Sequence, residues 1–200
     1  MIINNINIRH LTLKDNLEKV AELIYNTDPY IYPSWFKNYD SWKDVLVEFI
    51  KTEDSVFNYK NIAVAISENN IVGILIYLDE SRDLTFDYDK YIKINRYFKF
   101  VINRYISHLK DNVKQGCVYI PNICVDEKFR NLKIATNLIK FIKNKHKNKS
   151  LVLHCLKKNV PALNLYNKAG FKVVKELKGF NLPYKIKPKI YEMKYSSQDE

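Results

Sequence analysis

Apolar residues recur along the chain with two periods, and the switches between them mark its elements. Ile6 to His10 alternates apolar with polar and predicts an opening strand. Leu13, Leu17, Val20, Ala21 and Ile24 then follow the helical period. Thr12, with Asp15 three residues on, reads as a capping-box start, so a first helix is predicted to run to about Asn26. The stretch TDPYIYPSWF at 27–36 carries two prolines and four aromatics and predicts a rigid loop. A second helix is predicted over Ser41 to Lys51. Asn61 to Ser67 and Asn70 to Tyr77 are β-branched runs on either side of Glu68-Asn69, the pattern of a hairpin.

Residues 79–116 differ from the rest. An acidic stretch, DESRDLTFDYD, gives way to Tyr91, Ile94, Phe98, Val101, Ile102, Tyr105 and Leu109 at helical spacing, with Lys93, Arg96, Lys99 and Arg104 off that stripe. This predicts an amphipathic helix packed on the sheet, the alternative being a helix for a membrane or a partner. From Gly116 onward strands and helices alternate. Cys117 to Val125 is a strand interrupted by Pro121, which cannot donate to a ladder and so marks a bulge or the end of pairing. Ala135 to Lys145 is a helix and Leu151 to Leu156 a strand. Val160 to Lys168 is a helix ended by Gly170. Phe171 to Leu177 and Ile190 to Tyr195 close the sheet. The expected fold is α/β (α+β): a mixed, mostly antiparallel sheet of six or seven strands flanked by helices. It forms one domain over residues 1–200, with 79–116 as a helical insertion between the third and fourth strands.

Composition narrows the class. The 200 residues are 46% hydrophobic and 28% charged, enough to bury a core unaided. No apolar run approaches the roughly 20 residues of a membrane span, and the start lacks the pattern of a secretory signal. The expectation is a cytoplasmic protein with no membrane partner. Cys117, Cys124 and Cys155 are read as free buried thiols, with a covalent nucleophile as the alternative, since His154 adjoins one of them. No metal site is expected. The net charge of +11 would suit nucleic acid or another anion. Lysine is spread along the whole chain, however, and the densest run, KFIKNKHKNKS at 140–150, suits the end of a helix, so a nucleic-acid partner is the lesser reading.

Two segments carry candidate chemistry. In ICVDEKFRNLKIATNLIKFI (123–142) a strand turns through a charged loop into a helix whose first N–H groups can hold a phosphate, helped by Arg130 and Lys133. In LVLHCLKKNVPALNLYNKAGFKVV (151–174), Asn159 and Pro161 open a helix, Tyr166 lies within it, and Gly170-Phe171 follows. Together they resemble the GNAT superfamily of acetyl-coenzyme A-dependent N-acetyltransferases. Arg130-Asn131-Leu132-Lys133-Ile134-Ala135 matches that family's [Arg/Gln]-x-x-Gly-x-[Gly/Ala] loop. Asn159, Ala162, Tyr166, Gly170 and Phe171 match its Asn-x-x-Ala-x-x-x-Tyr-x-x-x-Gly-Phe pattern. The resemblance is specific over about 117–175 and architectural before that.

The resemblance implies roles. Backbone N–H groups of Leu132, Lys133, Ile134, Ala135 and Thr136 would hold the pyrophosphate of acetyl-CoA, with Arg130 shaping the loop. The backbone of Ile123, Cys124 and Val125 would bind the pantetheine arm, and Asn159 would bond the cofactor. Tyr166 would protonate the departing thiolate as a small amine or peptide amine attacks directly. Two departures stand out: Lys133 replaces the usual Gly, and CVYIPNICV lacks the carboxylate often used as a base. Deprotonation is then left to water, a backbone carbonyl or an acid from elsewhere. Glu80 and Asp83, with Asp79, follow the third strand and are expected on the acceptor side. Tyr30, Tyr32, Trp35 and Phe36 lie where the family shapes its acceptor pocket. A non-catalytic module binding coenzyme A or another anion is the rival, and a homodimer is left open.

Overall fold

A computed structural model describes residues 6–28, 32–33, 36, 41–80, 103–104, 107–109, 111–178 and 189–197. Its strands are β1 (Asn7–His10), β2 (Ile62–Ser67), β3 (Asn70–Asp79), β4 (Cys117–Val125), β5 (Ser150–Leu156), β6 (Lys172–Lys178) and β7 (Lys189–Tyr195). Its helices are α1 (Leu17–Tyr25), α2 (Trp42–Lys51), α3 (Ile134–Lys145) and α4 (Val160–Lys168). The strands form one sheet in the order β1-β2-β3-β4-β5-β7-β6, antiparallel at every step except the parallel β4–β5 pair. The expected mixed, mostly antiparallel sheet is the one observed.

Apolar residues fill both faces of this sheet. On one face, Val20, Leu23 and Ile24 of α1 and Leu46, Phe49 and Ile50 of α2 pack with Ile62, Val64, Ile74 and Ile76. On the other, Ile134, Leu138, Ile139 and Ile142 of α3 pack with Ala63, Ala65, Val72 and Leu75. Each face thus carries alternate residues of the same strands. Glu68 and Asn69 both have positive φ, at 48° and 64°, which matches a tight hairpin turn between β2 and β3.

The start of α1 departs from the sequence reading. Asp15 does not open the helix. Its carboxylate accepts hydrogen bonds from the Thr12 N–H (2.7 Å) and hydroxyl (2.8 Å) and takes both ends of the Arg9 guanidinium (2.6 and 2.9 Å). That turn uses up the capping signal, and the helix begins at Leu17 with Asn16 accepting from Lys19 N–H. Leu13, assigned to the apolar stripe, is consequently 52% exposed.

Pro121 produces both of the effects expected of it. Ile76 pairs with Asn122 and Leu78 with Tyr119, so Ile120 and Pro121 together oppose Tyr77: a β-bulge. The parallel pairing of β4 with β5 also ends there, running only from Cys117–Ser150 to Ile120–Leu153. Beyond that point β4 stays with β3 while β5 stays with β7, and the two strands part.

Of the apolar stripe in 79–116, only Leu109 lies among the described residues. It is buried in the core shared with α1 and α2. Asp83 and the rest of the acidic stretch beyond Glu80 fall outside the described residues. Among the described residues, no helix is long and apolar enough to cross a membrane.

Gly73 sets how closely α3 approaches the sheet. A β-carbon there would lie 3.1 Å from Cγ2 of Ile134, the first residue of α3, and 3.2 Å from the Cys124 carbonyl oxygen. Gly73→Ala should therefore destabilise the fold by about 1–3 kcal/mol, read from urea unfolding.

Candidate active site

Where β4 and β5 part, a cavity of about 1240 Å³ opens through the sheet. Its walls are the separated halves of the two strands, the loop from Phe129 to Thr136, and α4. Each sequence-predicted residue can be placed against it. Ile123, Cys124, Val125, Arg130, Asn131, Lys133, Ile134, Ala135, Thr136, Asn159, Tyr166 and Tyr32 line it. Leu132 lies outside the lining and is 41% exposed. Tyr30 and Trp35 fall outside the described residues. Glu80 belongs elsewhere: β3 runs antiparallel to β4, so the end of β3 pairs with the beginning of β4 (Asp79 with Val118). There Lys149 holds Glu80 at 2.8 Å and Asp79 at 3.6 Å, and this ion pair keeps the Glu80 carboxyl below its ordinary range.

The loop after β4 is shaped by two left-handed residues. Asn131 has φ 67° and Lys133 φ 58°. Lys133 is the residue before α3, and the first intrahelical bond runs from Asn137 N–H to its carbonyl. The N–H groups of Ile134, Ala135 and Thr136 therefore have no partner inside the helix, and these residues, at the positive end of the helix dipole, border the cavity. Arg130 is exposed and pairs with Glu127 at 3.3 Å. A glycine suits position 133 for its backbone as well as for the room it leaves, because an L side chain is strained at this φ.

Helix α4 is built as its motif predicts. Asn159 accepts from Ala162 N–H at 3.3 Å, so its carbonyl oxygen caps the helix. Pro161 follows in the first turn, and Gly170 takes φ 85° at the exit. Tyr166 stacks obliquely on buried Phe171, with ring centres 6.0 Å apart. Burial raises the Tyr166 phenol above its ordinary value, so it keeps its proton at neutral pH.

Asn122, Tyr119 and His108 in the cavity were not singled out in the sequence, and His154 was named there only as the neighbour of a cysteine. The bulge turns Asn122 onto the same face as Tyr119, toward α1. The Asn122 amide donates to Thr27 Oγ1 (2.6 Å) and to the Tyr32 hydroxyl (3.0 Å). Thr27 spends its own hydrogen on the Ile24 carbonyl, so it can only accept here, which fixes the orientation of the amide. On β5, His154 Nε2 lies 3.3 Å from the Glu192 carboxylate of β7. Its Nδ1 lies 3.2 Å from the Tyr119 hydroxyl and 3.1 Å from Nε2 of His108. Burial and the adjacent His154 lower His108 to about 4, leaving it neutral at physiological pH. Burial raises the Tyr119 phenol. Alternation along β5 was the available signal for His154, since it sets the ring on the opposite face from Cys155.

The thiols are poorly suited to nucleophilic work. Burial pushes Cys124 and Cys155 up to about 11, so neither is a thiolate at neutral pH. Among the described residues, no cluster of three or more His, Cys, Asp or Glu side chains could hold a metal.

Comparison with known proteins gives concordant matches. The model of the Acetyltransferase (GNAT) family matches residues 28–171. A 79-residue segment is 37% identical to an N-alpha-acetyltransferase of Saccharolobus solfataricus, covering 38% of this chain and 46% of that protein. The match thus spans about half the length of that curated relative. An N-acetyltransferase of Staphylococcus aureus Mu50 superposes with a TM-score of 0.72 at 20% identity, over 94% of this chain and 99% of that one. The PaiA N-acetyltransferase of Thermoplasma acidophilum, solved in complex with coenzyme A, superposes with a TM-score of 0.56 at 12% identity, over 96% and 99%. At these identities the two structures show the fold.

Two outcomes follow from the geometry. Lys133→Gly should stabilise the protein by roughly 0.5–1 kcal/mol, measured by urea unfolding, because it relieves the left-handed lysine. Stability should also depend on the protonation of His108. A depressed histidine favours the folded state fully above its ordinary value near 6.5, and that contribution is lost as pH falls toward about 4. His108→Leu should therefore shrink the difference between unfolding curves at pH 7 and pH 5. Part of the difference should remain, because His146 and His154 are lowered in the same direction.

Proposed function

The chain belongs to the acetyltransferase (GNAT) family, and on that premise we propose that it transfers an acetyl group from acetyl-CoA to a primary amine by direct attack in a ternary complex. One observation carries this reading. The half of β4 beyond its β5 ladder, the open first turn of α3 and Tyr166 all border a single cavity. When bound, acetyl-CoA would supply an activated thioester.

The residues present fit that group. Ile123, Cys124 and Val125 lie on β4 beyond the end of its β5 ladder, so their edge toward β5 is open to an extended amide-bearing arm. The N–H groups of Lys133 to Thr136 suit a pyrophosphate, with Arg130 and Lys133 adding charge. Leu132 retains only a backbone role in that loop. Asn159 serves first as the cap of α4 and borders the arm from there. Tyr166, held protonated by burial, gives its proton to the sulfur as the C–S bond breaks and the amine nitrogen bonds to the carbonyl carbon.

The acceptor enters from the side of Tyr32, whose hydroxyl is fixed by Asn122. Tyr30, Trp35 and Asp83 stay candidates for that side, while Glu80 is paired with Lys149 away from the lining. A polypeptide N-terminus is the acceptor to try first, since the relative from Saccharolobus solfataricus is an N-alpha-acetyltransferase. An amine of pKa near 10 must shed a proton at neutral pH, a cost of roughly 4 kcal/mol. The three free cysteines suit a reducing compartment, and the cytoplasm is the location we propose. Lys133 at the motif glycine favours one rival, a module that binds coenzyme A without turnover.

Calorimetric titration with acetyl-CoA, followed by thiol release with a panel of amines, tests the reading. Binding near micromolar and turnover of at least one amine are expected. Tyr166→Phe should then lower kcat by about 10²- to 10⁴-fold while acetyl-CoA affinity stays within about twofold. Binding with no turnover of any amine would favour the rival, and no binding would exclude both.

A further inference from the structure

Lysine is spread along the chain, but carboxylates are not. From Lys128 to Lys175, 48 residues carry 13 lysines and arginines and no aspartate or glutamate. The rest of the chain carries 20 such cations against 22 carboxylates, so the net charge of +11 arises entirely within this one stretch. It builds the loop after β4, then α3, β5, α4 and the start of β6. A merely solvated surface mixes both signs, as the remainder of the chain does. The number of lysines alone conceals this asymmetry.

Between α3, the end of α4 and the end of β7 lies a second cavity, of about 570 Å³. Lys140 and Lys143 of α3, Lys147 in the turn beyond it and Lys168 of α4 line it, and among the described lining residues there is no carboxylate. Lys140 and Lys143 are three apart and so neighbours on one helix face, with about 5–6 Å between β-carbons. Lys147 extends their row. Tyr195 also lines the groove but is buried, and Lys143 Nζ sits 3.5 Å from the centre of its ring, so that face is taken. Thr136 and Lys168 border this cavity and the larger one alike, so the two adjoin.

We propose that this groove binds the phosphate backbone of nucleic acid without regard to base sequence. A row of cations along a concave wall suits a strand of evenly spaced anions, and the charge of the stretch exceeds what the phosphates of one coenzyme neutralise. In the acetyl-transfer reading those phosphates go to the first turn of α3 with Arg130 and Lys133. Lys140, Lys143 and Lys147 lie about one to three turns farther along. With Lys143 over the Tyr195 ring, no aromatic face in the groove is left for a base to stack on, so the bases stay outside and unread. A trench between two helices favours a strand over a flat anionic bilayer. The proposal needs only this groove and its charge, and it stands apart from acetyl transfer.

Fluorescence anisotropy of the intact protein with a labelled oligouridine of about 16 nucleotides tests this. Binding with a Kd of about 10⁻⁴–10⁻⁶ M is expected at physiological salt. Between about 50 and 200 mM salt, log K should fall against log salt with a slope near −3, the four groove lysines contributing about 0.7 each. Lys140→Gln combined with Lys147→Gln, both exposed, should flatten that slope by about 1.4 and weaken binding by about 10- to 30-fold near 0.1 M salt, with coenzyme A affinity unchanged. Lys14→Gln combined with Lys51→Gln removes the same charge on the side of α1 and α2, across the sheet from α3, and should change affinity by less than about twofold. Oligoadenosine of the same length should bind within about threefold of oligouridine. No binding at the lowest salt, equal losses from the two double variants, or release of the RNA by saturating coenzyme A would overturn the inference. Tighter binding to vesicles of equal parts phosphatidylcholine and phosphatidylserine than to oligouridine would overturn it in favour of a membrane surface.

Discussion

The structure turns on the point at which two parallel strands stop hydrogen bonding. Backbone N–H and C=O groups in a sheet are strong polar groups that must find partners. Between β4 and β5 the ladder runs for four residue pairs and then ends at Pro121, which has no N–H to offer. Strand β5 is held to β7 and β4 to β3, so neither strand can close the gap by moving alone. The separation is therefore locked by the rest of the sheet. It leaves β4 an open edge inside a cavity, where a ligand bearing amide groups can complete what the sheet lacks.

The same bulge divides the cavity chemically. Toward α3 and α4 it offers the first turn of a helix together with Arg130 and Lys133, a setting for anionic groups. Toward α1 it offers Tyr119, Asn122 and Tyr32, with His108 and His154 beside them. Burial holds the Tyr119 phenol protonated and His108 unprotonated, while Asp28 in the lining and Glu192 beside His154 bring carboxylates to this half.

How much of this the sequence revealed depends on whether the determining contacts are local. Helix α4 was legible from end to end, because an Asn cap, an early Pro and a left-handed Gly act within a few residues of one another. The break at Pro121 was legible because a missing N–H is a property of one residue. Glu80 was misplaced because which end of β3 meets the cavity depends on its register with β4, a relation across about 40 residues. Thr12 and Asp15 look like a helix start in sequence, yet Arg9 claims the carboxylate for a turn instead. The His154 cluster gathers Tyr119, His108 and Glu192 from 35 to 46 positions away, and no local pattern announces it. Lys133 runs against backbone preference altogether: its left-handed φ persists because the strand behind it and the helix ahead are both anchored in the core.

Hydrogen–deuterium exchange of the intact protein with and without acetyl-CoA tests the central claim most directly, because it reads the open strand edge itself. If the parted half of β4 is the docking edge, amides of Ile123 to Val125 and of Ile134 to Thr136 should slow markedly on adding acetyl-CoA, while those of β1 and β2 should not change. Binding that protects other segments and leaves both of these exchanging as in the free protein would contradict the account.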